Sequence, residues 1–210
     1  AAGSSILYID GVSGAANISA LNAAGLTPGG MTGFFNFSGS GYSEYVMKGI
    51  DLTLDNTSDS NLNSSTYSNI QFLQSSVTVN NGVTVAGTQA GQVAIAQKNA
   101  VGGTVSGINI TNNGTISLTG SGTTAIAGDF ITMKNTATGS INLGAGSVGM
   151  YTANGSIAVN EGAIELGTGS VGMYGRNDFG STAAAYGDRK INIENQKDIK
   201  TISSGVTGNV

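Results

Sequence analysis

The chain has 210 residues and a net charge of −4, with 10% charged residues, 34 glycines, one proline and neither cysteine nor histidine. Disulfides, thiol or imidazole nucleophilic centres and His- or Cys-ligated metals are therefore excluded. The basic residues, among them Lys48, Lys98, Lys134, Arg176 and Lys200, are scattered along the chain, which argues against a nucleic-acid partner.

An apolar content of 39% is too high for a disordered polar tract, and the glycine load implies many turns, so the expected class is all-β. The first residues, AAGSSILYIDG, carry no basic flank. No apolar run reaches the ~18 residues of a membrane span, so neither an intact signal peptide nor a membrane span is expected. If the parent is exported, this chain is expected to be a processed or excised piece, and the lack of cysteine suits such a route.

Residues 1–48 show no regular beat and are expected to form an irregular cap or decoration. Within them, Asn17 to Gly25 (NISALNAAG) offers an N-cap asparagine, apolar Ile18, Leu21 and Ala24, and a closing glycine, enough for one or two helical turns. Phe34, Phe35, Phe37, Tyr42 and Tyr45 then form an aromatic group suited to covering an open sheet end. Alternating strands begin with Ile50–Leu54 and continue from Phe72 to Val79. Between them, Asp55-Asn56-Thr57-Ser58-Asp59-Ser60-Asn61 spaces its oxygen side chains like the opening of a calcium loop. Ser60 stands where that loop needs glycine and Thr66 where it needs an acid, so a turn is expected there, and no metal or cofactor.

From residue 80 onward the chain repeats itself. Asn80-Asn81-Gly82-Val83, Asn112-Asn113-Gly114-Thr115 and Asn160-Glu161-Gly162-Ala163 share one step, and Gly139 falls between the last two. Gly139–Tyr151 (GSINLGAGSVGMY) recurs 23 residues later as Gly162–Tyr174 (GAIELGTGSVGMY). Apolar residues alternate within each unit: Ile108/Ile110, Ile116/Leu118, Ile131/Met133, Ile141/Leu143, Val148/Met150, Ile157/Val159, Ile164/Leu166, Val171/Met173 and Ile191/Ile193. Period two signals short strands with one side buried, two or three to each repeat.

A repeat of this length is too short for a βαβ unit of ~30 residues. An antiparallel sandwich has no need for equivalent residues at a fixed interval. The expected fold is a right-handed parallel β-helix of ~24-residue coils over residues 49–210, with a loop inserted at 175–190; roughly 200 residues at that period would give about eight or nine coils and a rod of about 40 Å. Coil stacking then sets Met150 beside Met173, Tyr151 beside Tyr174 and Leu143 beside Leu166. Asn112, Asn135 and Asn160 are expected to form a stacked amide ladder. Gly149 and Gly172 mark a bend or a close backbone approach.

The chemistry left open is that of carboxylates, as in a polysaccharide lyase or a phage-type depolymerase. Glu161 and Glu165 project differently from a strand, while Asp178 and Asp188 share a loop with Arg176, Arg189 and Lys190. No converging acid pair is visible, so no enzyme is expected. The loop is the better contact candidate, through Arg176, Asn177, Asp178, Phe179, Tyr186, Asp188 and Arg189, because insertions into a stack gather on the side that meets partners. Tyr151 and Tyr174 offer a platform for a sugar ring, or stack on each other.

At GSVGMY, an Asn-x-Gly-x-Ile step and GSVGMY again, the sequence resembles the passenger repeats of the large fusobacterial type V autotransporter adhesins. The resemblance is strongest over Asn135–Tyr174 and weaker from Gly107 to Ile202. It implies a piece of a long surface β-helix, outer-membrane anchored through a part of the parent absent here. It also implies attachment to other bacteria or host cells through a surface protein or glycan. SVGMY also resembles the SVAIG repeats of trimeric autotransporter heads, whose shorter interval does not fit. A structural filament subunit, polymerising by coil-end stacking, is the remaining alternative.

Overall fold

A computed structural model describes residues 6–10, 15–16, 31–33, 36–37, 44–49, 51–54, 69–73, 75–98, 108–176 and 191–202. Among them there is no helix, and the strands fall into three parallel sheets and one small hairpin. The expected helical turns at Asn17–Gly25 lie outside the described residues.

Sheet I runs from Ile6–Asp10 through Glu44–Lys48, Asn69–Leu73, Val93–Lys98, Thr124–Asp129 and Val148–Ala153 to Val171–Arg176. Sheet II runs from Ala15–Ala16 through Asp51–Leu54, Val77–Val79, Asn109–Asn112, Thr132–Asn135 and Ile157–Asn160 to Asn192–Asn195. Sheet III holds Thr84–Gly87, Thr115–Leu118, Ser140–Leu143, Ala163–Leu166 and Ile199–Thr201. From Val77 onward successive strands visit sheets II, III and I in turn, so each of these rungs contributes one strand to each sheet, whereas the described strands before Val77 alternate between sheets I and II, apart from one small hairpin. The inward side chains of all three belong to one apolar cluster, including Leu52 and Ile110 from sheet II, Ile116 and Ile141 from sheet III, and Ile95 and Ile126 from sheet I. The molecule is solenoid-like.

The register is the one the repeat demands: Met150 pairs with Met173, Tyr151 with Tyr174, Ile141 with Ile164 and Leu143 with Leu166, always in parallel. Equivalent residues stay in register on sheets III and I partly because the corner from sheet III to sheet I keeps nearly the same length from rung to rung, as in Leu118 to Thr124, Leu143 to Val148 and Leu166 to Val171. In the corner from sheet III to sheet I, Gly122, Gly146 and Gly169 all have φ near +66 to +69, a left-handed turn open to glycine at little cost.

Each of the two larger sheets has seven strands among the described residues, rather than eight or nine. Long stretches separate Leu54 from Asn69, Lys98 from Asn109 and Arg176 from Asn192, and these consume chain that a uniform period would have spent on rungs. Sheet I also reaches back before residue 49, since Ile6–Asp10 pairs with Glu44–Lys48 and the latter with Asn69–Leu73. Between those first strands, Met31–Gly33 and Asn36–Phe37 form an antiparallel hairpin. Phe34, Phe35 and Tyr42 of the aromatic group lie outside the described residues.

The alternation has the expected period, but its phase differs in one strand. In Ile157–Asn160 the buried residues are Ala158 and Asn160, while Ile157 is 40% exposed and Val159 half-buried. Sheet I departs in another way: Val148 faces outward, and Gly149 and Met150 are buried in succession, a local irregularity repeated at Ala125 and Ile126. The close approach expected at Gly149 is present, since a Cβ there would strike the carbonyl of Gly172.

Ile164 is fully buried between Ile141 and Ile199 of the neighbouring rungs. Ile164→Ala should therefore cost about 2–5 kcal/mol of unfolding free energy. Ile157→Ala should cost less, about 1 kcal/mol, because that side chain is 40% exposed and leaves no enclosed cavity. Urea titrations of the two variants check both the core and the corrected phase.

Candidate functional site

Two corners of the stack are held by columns of polar side chains, and the third by a buried serine. At the end of the sheet II strands, Asn112 Nδ2 donates to Asn135 Oδ1, Asn135 Nδ2 to Asn160 Oδ1 and Asn160 Nδ2 to Asn195 Oδ1, each at 2.8 Å. The expected ladder thus exists and gains a fourth member. Asn195 escapes a sequence search because it lies 35 residues beyond Asn160, whereas the earlier steps are 23 and 25. The strand-ending asparagine in NIEN, as in TMKN and IAVN, is the signal that could have found it.

A second column, of hydroxyls, precedes sheet I. Thr123 N–H donates to Ser147 Oγ (3.0 Å), Ser147 N–H to Ser170 Oγ (2.9 Å), and Ser170 Oγ to the Gly144 carbonyl (3.0 Å). The recurring Gly-x-Gly-Ser/Thr step carried this signal in the sequence. Between sheets I and II, the buried Ser156 Oγ donates to the Ala153 carbonyl (2.6 Å) and accepts from Ile131 N–H (3.2 Å). The serine hydroxyls satisfy the backbone amides of Thr123, Ser147 and Ile131 that a turn would otherwise leave unpaired.

The outward faces are the surfaces open to a partner. On sheet I, Ala96, Ala127, Tyr151 and Tyr174 form one outward column and Val93, Thr124, Val148 and Val171 another. The rings of Tyr151 and Tyr174 stack on each other at 5.6 Å between centroids and 29° between planes, and Tyr174 stays 44% exposed. A ring stacked on its neighbour still offers its outer edge, and with Val171, also 44% exposed, it forms an uncharged patch.

Arg176 is exposed at the end of its strand, in register with Ala153, and its carbonyl accepts from Asn154 N–H (3.3 Å). The other loop candidates, Asn177, Asp178, Phe179, Tyr186, Asp188 and Arg189, lie outside the described residues, as does the run Asp55–Asn61. The two glutamates four residues apart do not converge. Glu161 meets Lys134 Nζ at 2.6 Å, while Glu165 sits within the sheet III strand in register with Lys200 of the next rung. Both partners of the Lys134–Glu161 pair are partly exposed, so the bridge contributes little. Among the described residues no three acidic side chains gather as a metal site, and no helix is long and apolar enough to cross a membrane.

A cleft of about 350 Å³ lies at the last rung among the described residues, lined by Leu166, Met173, Ile193, Asn195 and Ile199 among others. No protein-family model, curated protein or solved structure matches the chain.

Proposed function

We propose that the chain is a non-enzymatic segment of a bacterial cell-surface adhesin: a right-handed, closed parallel β-helix that spaces and displays binding loops for attachment to other bacteria or host cells. The observation that carries this reading is the unbroken register of like residues through successive rungs, Ile116–Ile141–Ile164–Ile199 in sheet III and Asn112–Asn135–Asn160–Asn195 in sheet II. Stability in such a stack comes from nearest-neighbour rungs, so outward positions are free of structural duty and available for recognition. The partner is a surface protein or glycan, met by the 177–190 loop with Arg176 and by the tyrosine patch on sheet I.

Beads coated with the chain should adhere to bacterial or host cells, and adherence should fall at least about tenfold when residues 177–190 are replaced by a short Gly-Ser linker. A Tyr151→Ala/Tyr174→Ala pair should lower it further if the partner is a glycan. Glycan breakdown by the chain, lost in an Asp178→Asn/Asp188→Asn double variant, would replace the adhesin reading with that of a carbohydrate-active enzyme.

A further inference from the structure

The chain contains three Asn-Gly steps, at Asn81–Gly82, Asn113–Gly114 and Asn154–Gly155. Such a step is the sequence most open to spontaneous deamidation, because glycine has no side chain to shield its amide nitrogen. The three are chemically alike, so any difference in reactivity must come from the fold.

Asn113 is clamped. Its N–H donates to the Val79 carbonyl (2.8 Å), its Oδ1 accepts from Thr136 Oγ1 (3.0 Å) and its carbonyl accepts from Thr138 Oγ1 (3.1 Å). Gly114 lies buried against the carbonyls of Asn80 and Val83, with no room even for a methyl group. Asn154 is half-buried in a left-handed conformation at φ 48, its N–H donating to the Arg176 carbonyl, in a corner tied down by the Ser156 hydroxyl. Asn81 and Gly82 differ from both. They are exposed, nothing lies within 4 Å of where a Gly82 Cβ would be, and the turn is closed by Val83 N–H donating to the Asn80 carbonyl, a bond that leaves out the Gly82 amide.

We infer that Asn81 is a modification site, the position at which the folded protein converts asparagine to isoaspartate and aspartate. Base removes the Gly82 amide proton, and that nitrogen attacks Asn81 Cγ. The new C–N bond forms as the side-chain nitrogen leaves as ammonia, giving a cyclic succinimide. Water then opens the ring at either carbonyl, yielding isoaspartate when the backbone carbonyl is attacked and aspartate when the side-chain carbonyl is. At Asn113 the same attack would first have to break the Thr136 and Val79 bonds, and the rung would have to open locally before it could proceed.

Either product places a carboxylate on the turn, and isoaspartate adds a methylene to the main chain there. The adjoining Val83 carbonyl accepts from Thr115 N–H (2.8 Å) and the Val79 carbonyl from Asn113 N–H, so the change falls beside bonds that join two rungs. The inference does not depend on the attachment role.

The test is incubation of the intact 210-residue chain at mildly alkaline pH and 37 °C, followed by peptide mass mapping and enzymatic methyl labelling of isoaspartate. A parallel sample is held in concentrated guanidinium. In the folded protein, conversion at Asn81 should exceed that at Asn113 and at Asn154 by at least about tenfold. In denaturant the three should converge. Equal conversion at all three sites in the folded chain would overturn the inference, as would faster conversion at Asn113 or Asn154, or an Asn81 stable when folded but labile when denatured.

Discussion

Asn135→Ala is expected to lower the unfolding free energy by about 2–5 kcal/mol, because it cuts a fully buried ladder in its middle. Asn135 accepts from Asn112 Nδ2 and donates to Asn160 Oδ1, with a further contact from its Nδ2 to the Ala163 carbonyl at 3.3 Å. All three asparagines are wholly inaccessible to water, so the severed partners cannot find replacement bonds. Position along the ladder sets a ranking. Asn112 is the terminal member: the residue in register on the preceding rung is Val79, and Asn112 Oδ1 has no hydrogen-bond partner. Asn112→Ala therefore severs one side-chain bond to the ladder where Asn135→Ala severs two. Asn195, at the opposite end, is exposed, and Asn195→Ala should cost about 1 kcal/mol or less. Denaturant titration followed by circular dichroism gives the ranking, and Asn135→Ala as mild as Asn195→Ala would show that the ladder contributes nothing. Hydrogen exchange in the Thr132–Asn135 and Ile157–Asn160 strands separates global loss from local fraying, since a stack can melt rung by rung.

Gly139→Ala should be at least as damaging, with a loss of about 3 kcal/mol or more, because the added methyl would collide with groups that have nowhere to go. Those groups are Asn135 Oδ1 and the Asn112 carbonyl, so the substitution would both disrupt the ladder and force two rungs apart. Gly162 repeats the arrangement one rung on, against the carbonyls of Gly139 and Thr136. Gly122 is the control: it has φ +66 but open space around it, so Gly122→Ala bears only the strain of a left-handed alanine, about 1–2 kcal/mol. Thermal and denaturant unfolding of the two variants would distinguish steric packing from backbone conformation as the reason for glycine. Equal losses would show that the close approach between rungs is not what excludes a side chain.

The stacking partners and the amide ladder were legible in the sequence because a parallel stack puts chemically equivalent residues on top of one another. A period in the chain is then also a distance in space. Asn112, Asn135 and Asn160 could be named as a column for that reason alone. The same logic fails where the interval changes. Asn195 and the early strands Ile6–Asp10 and Glu44–Lys48 belong to the same sheets, yet long intervening stretches break the beat that would have revealed them. Of the contact candidates, the tyrosine pair was legible as a column, while its mutual stacking needed ring positions.

What the sequence determined by itself was the class, the parallel register and the identity of the ladder residues, since repeated spacing dictates which residue lies over which. What the tertiary structure alone decided was phase and accessibility. In Ile157–Asn160, Asn160 must point inward to meet Asn135 and Asn195, and the pleat then turns Ala158 inward and Ile157 out. A one-residue slip exchanges the two faces of a strand without altering its period, so periodicity cannot choose between them. The three Asn-Gly steps obey the same limit: identical as sequence, they are separated only by what the neighbouring rung places around each.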